Sequence, residues 1–225
     1  MKHIRFLFLC FLFGGLFSCE EDKVRFLEPQ PVGIDSDSEL RKKFMGTFLN
    51  ESDSSYLIVS SDRVVYKPFS FKVRIDSGDV SSKGGNVNLD LRTGDSSSHV
   101  SMELTKENEG DSLMLNAESE DEIFNLKKGG IAKLHRGYYF LNTPFEEGLG
   151  FRVRILKLTN EGIILSKIAS DSVLHLLENE EFVRKESKGE DEEENWKLNP
   201  SRKQLKKLIK MGLFSEIMEF KRVTK

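Results

Sequence analysis

The sequence predicts a mainly β chain: an antiparallel meander of about ten strands, arranged as a barrel or a sandwich, with one C-terminal helix and then a final strand. Three observations carry this. Apolar and polar residues alternate in run after run, as in Phe69–Ile75, Val87–Leu91, Val100–Leu104, Leu113–Ala117 and Phe151–Ile155. Alternation puts one face of a strand on a core and the other in water. Turn-forming segments separate the runs: Ser77-Gly78-Asp79, Lys83-Gly84-Gly85-Asn86, Glu109-Gly110-Asp111 and Asn160-Glu161-Gly162. Gly and Asn accept the positive φ that tight hairpins require. A single stretch near the C-terminus changes to helical spacing.

Taken in order, the N-terminus is basic (Lys2, Arg5), then uncharged from Phe6 to Phe13, and ends in Gly14-Gly15-Leu16-Phe17-Ser18-Cys19. That layout is a signal peptide over 1–18. The apolar stretch is shorter than the roughly 20 residues of a spanning helix. The tetrad Leu16-Phe17-Ser18-Cys19, followed by Glu20-Glu21-Asp22, resembles a bacterial lipobox with the acidic run of Bacteroidota surface lipoproteins. The resemblance implies a cut before Cys19 and acylation of its thiol, hence membrane lipid as a partner and an outer-membrane address in the cell envelope, exposed at the surface. Cys10 leaves with the signal, so the mature chain would hold no disulfide, no Cys zinc site and no Cys nucleophile.

Residues 19–38 read as the lipidated Cys and a flexible tether, with Glu28-Pro29-Gln30-Pro31 and Asp35–Ser38 keeping it extended. Fully drawn out, such a segment reaches roughly 60 Å. The rival reading is a strand around Val24–Leu27. The β-rich domain spans 39–225. Two stretches in it echo each other, Leu40–Asn50 around Gly46 and Ile131–Asn142 around Gly137. They suggest two related units near 40–126 and 131–225. Gly46-Thr47-Phe48-Leu49-Asn50 leading into hairpins, with a late helix, is similar to uncharacterised Bacteroidota lipoproteins with lipocalin-like sheets; the resemblance implies that fold and assigns no binding residue.

Asp171–Leu177 reads as a short helical connection. The helix follows at about 200–211, with Asn199 as its cap, Pro200 at its first position and Gly212 just beyond its end. Ile217–Val223 reads as the last strand.

Net charge is −3, with 34 basic against 37 acidic residues, which argues against nucleic acid as a partner. His99, His135 and His175 form no HxH, HxxxH or HExxH pair, so no metal site is expected, and His175 within Leu174–Leu177 reads as partly buried. There is no Gly-x-Ser-x-Gly elbow, no phosphate-binding glycine loop and no calcium loop. The expectation is therefore a non-catalytic protein without a cofactor. It would bind a small apolar ligand or an envelope component, or serve as a structural partner of an outer-membrane complex. A hydrolase built from distant carboxylates is the remote alternative.

Two groups of residues are candidates for contact. Tyr138, Tyr139, Phe140 and Phe151 could line a ligand cavity in a barrel. Lys203, Lys206, Lys207 and Lys210 fall on one side of the helix, opposite Leu205, Leu208 and Ile209. That basic side could meet an anionic surface, or be solvated beside the acidic run 190–194.

Overall fold

Strand patterning becomes pairing in the computed structural model, which describes residues 23–68, 70–76, 87–92, 98–106, 112–145, 148–168, 174–178, 180–186 and 195–223, with backbone alone over 70–117. The strands are β1 (Val24–Phe26), β2 (Gly46–Leu49), β3 (Tyr56–Val59), β4 (Arg63–Lys67), β5 (Ser70–Asp76), β6 (Val87–Arg92), β7 (Ser98–Lys106) and β8 (Ser112–Asn125). They continue as β9 (Ile131–His135), β10 (Tyr138–Pro144), β11 (Phe151–Leu158), β12 (Gly162–Lys167), β13 (Val183–Glu186) and β14 (Asn195–Leu198). Helix α1 (Arg202–Lys210) precedes β15 (Glu216–Arg222). The protein is thus mainly β, as expected, with fifteen described strands where about ten were expected.

All fifteen belong to one hydrogen-bonded sheet, whose longest path runs β13-β14-β1-β11-β12-β15-β2-β3-β4-β8-β7-β6. The ends of this path do not pair, so the sheet is an open roll and not a closed barrel. Pairing is antiparallel with one exception, β1 beside β14.

Two cores sit on opposite faces of the β10–β11 hairpin. The inner core, inside the roll, holds Leu40, Phe44, Phe48, Leu57, Phe124, Tyr139, Leu141, Leu156, Ile163, Leu165 and Phe220 among others. The outer core holds Val24, Phe26, Phe140, Val153, Ile155, Leu177, Trp196, Leu198, Leu205, Leu208, Leu213 and Phe214. Alternation explains the division: Tyr139 pairs with Leu156 and faces inward, whereas Phe140 pairs with Ile155 and faces the outer core. Over Tyr139–Asn142 and Ile155–Leu156 these strands are buried on both sides, whereas Arg152, Arg154 and Lys157 of β11 keep part of their surface in water.

The N-terminal segment corrects the tether expected over 19–38, in its described part. Val24–Phe26 forms β1, because Val24 and Phe26 bury themselves in the outer core while Lys23 O and the Leu27 amide bond Trp196 and Leu198 of β14. Phe26 also stacks on Phe214, with centroids 6.5 Å apart. Further on, a cis Gln30–Pro31 bond turns the chain and Gln30 is fully buried. Burial of these apolar groups outweighs the freedom of an extended linker. Residues 1–22, with the signal and Cys19, lie outside the described residues.

The two echoing stretches have different local roles. Arg136 and Gly137, both at positive φ (51° and 86°), make the two-residue turn between β9 and β10. Gly46 instead opens β2 after the 3-10 turn Lys42–Phe44. Helix α1 begins two residues later than expected. Ser201, not Asn199, is its cap, and Ser201 and Gln204 satisfy each other's backbone in a capping box. Its end is as expected: Gly212 at φ 87° lets Leu213 N bond Leu208 O and Gly212 N bond Ile209 O. The expected helical connection over 171–177 is, in its described part, the 3-10 turn Leu174–Leu177. The acidic run 190–194 lies outside the described residues.

Candidate functional site

The four aromatics expected to line a cavity are split by the pleat. Tyr139 is fully buried in the inner core, edge-on to Phe44 at 4.8 Å. Its hydroxyl donates to Asp37 Oδ2 at 2.6 Å and accepts from Arg41 N at 3.1 Å. Burial, and then the bond to Asp37, push this phenol up to about 12. Tyr138 and Phe140 face the outer core, and Phe151, paired with Phe26, shares that face. Tyr138 is half-buried under Lys157, whose Nζ sits 5.9 Å from the ring centre. Tyr138, Tyr139 and Phe140 are packing elements of the two cores.

The helical lysines lie as their spacing predicts. Leu205 and Leu208 are buried, and Lys203, Lys206, Lys207 and Lys210 are exposed. Lys207 meets Glu180 at 2.5 Å. Arg202, at the first turn, donates to Val32 O and Gly33 O and ties α1 to the N-terminal segment.

The histidines do not converge. The backbone places His99 on β7 and His135 at the end of β9. Burial, with the charges of Arg136 and Arg202, holds His135 below its ordinary value. His175 is exposed, correcting the expectation of partial burial, because the 3-10 turn aims Leu177 at the outer core and turns His175 to water. Among the described residues no three His, Cys, Asp or Glu side chains are grouped to hold a metal. The carboxylates of Glu118 and Glu120 converge on Lys67 Nζ and form ion pairs there.

A surface groove of about 410 Å³ lies on the outer side of β12 and β15, between the turn at Asn50–Ser52 and that at Thr159–Glu161. Ile217 in its floor is 57% exposed. Glu51 and Lys221 form an ion pair there at 2.6 Å, which raises the lysine above its ordinary value. Such solvent-facing pairs add little, and the groove lacks the converging polar groups of a small-molecule site.

Sequence reasoning missed a different feature. Arg184 on β13 pairs with Lys197 on β14, and Lys197 pairs with Arg25 on β1. On the far side of β1, Phe26 pairs with Phe151, which sets Arg25 beside Arg152 of β11. Four cations therefore form a row across four neighbouring strands, about 14 Å end to end at ~4.8 Å per strand. The ring of Phe145 lies between two of them, with Arg25 at 4.6 Å and Arg152 at 5.2 Å from its centre. Ring and cation attract through the ring's negative face, by about 0.5–1 kcal/mol each when exposed. Arg154, one alternation further along β11, donates to Ile123 O at 3.0 Å. Among the described residues of these strands, that face carries five basic side chains and one acid, Glu186, which pairs with Lys197 at 2.7 Å. Like charges directly opposite one another weaken a sheet. No local spacing could reveal the row, since its members are scattered from residue 25 to 197 and meet only through tertiary pairing.

Comparison with protein-family models, with curated proteins and with solved structures gives no match.

Proposed function

We propose that this chain is a lipid-anchored protein of the cell envelope, held in the outer membrane through Cys19, that binds another envelope component at its surface without catalysing a reaction. The lipobox-like Leu16–Cys19 and the acids after it support the anchor. Two acyl chains or more make such an anchor stable, since each buried methylene contributes about 0.8 kcal/mol. The observation that carries the choice of ligand class is the inner core. Phe44, Phe48, Phe124, Tyr139 and Phe220 occupy the inside of the roll, where a lipocalin-like sheet would hold a small apolar molecule. With these rings occupying the inside of the roll among the described residues, the outer surface is the part left for recognition.

Native mass spectrometry of the mature protein from its source membrane tests both parts. The expected spectrum shows acyl chains at Cys19 and no retained small molecule, and Cys19→Ala leaves the protein unprocessed or releases it from the membrane fraction. A bare thiol at Cys19, or an uncut leader, overturns the anchor. A stoichiometric apolar molecule on the purified chain overturns the surface-partner reading in favour of an interior ligand.

A further inference from the structure

We propose that the groove across β12 and β15 docks an extended segment of a partner protein in which basic and apolar residues alternate. The inference rests on the reading of a surface partner and names the surface and the chemistry it recognises.

Strand pairing makes the groove. Ser166 pairs with Ile217, Ile164 with Glu219, and Lys221 with both Gly162 and Leu49. Leu49, Ile164, Ile217, Glu219 and Lys221 therefore share the outer face, and Gly162 adds no side chain to it. Leu49, Ile164 and Ile217 belong to neither core, and Ile217 is the most exposed large apolar side chain among the described residues. Strand β2 ends at Leu49, opposite Lys221, so over Glu216–Phe220 strand β15 pairs with β12 alone. A short strand edge without a neighbouring strand thus borders the apolar floor. An extended segment adds to such an edge through main-chain hydrogen bonds, and its alternate side chains supply specificity.

Charge selects the occupant. Glu51, Glu161 and Glu219 line the groove with one base, Lys221. Glu51 holds Lys221 at 2.6 Å. Glu161 adds to the field on that lysine, and neither Glu161 nor Glu219 forms an ion pair with a described residue. The lining is therefore net negative. An anionic membrane surface is repelled by it. A second copy placed on it about a two-fold axis would bring Glu161 and Glu219 against their own copies. A basic segment meets these acids while its apolar side chains cover Leu49, Ile164 and Ile217. The volume of about 410 Å³ suits a few residues, not the roughly 800 Å² that a globular partner covers on each side.

The test is fluorescence anisotropy of labelled peptides titrated with the whole protein in a neutral detergent. The probe is Lys-Val-Lys-Val-Lys-Val-Lys. One counterpart carries Glu in place of Lys, and another Ser in place of Val. Binding is expected for the first peptide alone, and to weaken with added salt. Ile217→Thr keeps a β-branched residue on the strand and touches neither core; it should weaken binding about tenfold. Glu161→Gln with Glu219→Gln should also weaken it about tenfold, at roughly threefold per charge. Far-UV circular dichroism shows whether each variant is folded. The triple variant Glu192→Gln, Glu193→Gln, Glu194→Gln, in the acidic run, is expected to bind as the parent does. Absence of binding up to about 1 mM overturns the proposal. So does equal binding of the Ser peptide, or a loss in the acidic-run variant with none in the groove variants. Self-association that Ile217→Thr abolishes, seen by sedimentation, would assign the groove to a second copy and overturn it as well. A small molecule found inside the purified chain would defeat the surface-partner reading, whereas these titrations decide the groove by themselves.

Discussion

Asn142 holds Gln30 across 112 residues of sequence by a side chain that acts as a strand edge. Its Oδ1 accepts the Gln30 amide at 2.6 Å, and its Nδ2 donates to Gln30 O at 2.9 Å. The same Nδ2 reaches Ile131 O and Phe140 O. Both residues are fully buried. Lys133 adds Nζ donors to Pro29 O and Pro31 O at 2.8 and 3.1 Å. One amide thereby fixes the bend that carries the N-terminal segment from the outer core to the inner one.

Replacing Asn142 by Leu leaves the Gln30 N–H and C=O buried without partners. An expected loss of about 3 kcal/mol follows from the cost of such groups, read as a lower urea midpoint. Asn142→Asp should be worse, since a carboxylate offers no donor to three carbonyls. Hydrogen exchange at the Gln30 amide should accelerate in both. A parent-like midpoint for Asn142→Leu would show that the clamp is dispensable.

Tyr139 makes stability depend on pH at the alkaline end. Its phenol titrates near 12 when folded and near 10 when unfolded. The folded state therefore keeps a proton that the unfolded state gives up. The stabilisation is complete below pH 10, declines as pH rises from 10, and is lost above about 12. Tyr139→Phe removes the bonds to Asp37 and Arg41, at a cost of about 1 kcal/mol near neutral pH. It should also remove that alkaline component, seen as a flatter urea midpoint between pH 9 and 12 than the parent shows.

Gly162 allows β12 and β15 to approach. A Cβ there would lie 1.9 Å from Phe220 O and 2.8 Å from Lys221 Cα, both backbone atoms that cannot step aside. Gly162→Ala should cost about 2–3 kcal/mol, as overpacking does. Gly148→Ala provides the contrast. It has open space around it but a φ of 67°, so it should cost only about 1 kcal/mol of backbone strain. Thermal unfolding of the two variants checks the order; equal midpoints would contradict it.

Ser201→Ala removes one half of the capping box and should destabilise α1 by about 1 kcal/mol. Asn199→Ala, at the position that local sequence favours as the cap, should change stability little. Chemical denaturation of both variants separates these two starts of the helix.

Much of the fold is legible in the residues themselves. Alternation in Phe151–Ile155 gives β11, Asn160–Gly162 gives the turn before β12, and Leu205 and Leu208 give the buried stripe of α1. These are local statements, and local sterics and solvation decide them. The candidate site was far less legible. Tyr138, Tyr139 and Phe140 could be read as apolar, but which of two cores each would fill could not. The cap was misplaced because Asn-Pro and Ser-x-x-Gln are both sound starts and lie two residues apart. In the N-terminal segment Pro and charge favour a tether over the rival strand at Val24–Leu27, because what settles the strand, pairing with β14 and burial of Val24 and Phe26, comes from residues far along the chain.

By itself, the sequence determined the β class, the late helix and the lipobox-like order of residues around Cys19. Each depends on neighbours along the chain. Only the tertiary structure decided that the middle of β10 and β11 is buried on both faces, that β1 lies parallel to β14, and that four cations from Arg25 to Lys197 share one face. The physical reason is that the pleat fixes which residues point the same way, but not what covers each side. That depends on pairing between strands distant in sequence, and on the apolar area each arrangement removes from water.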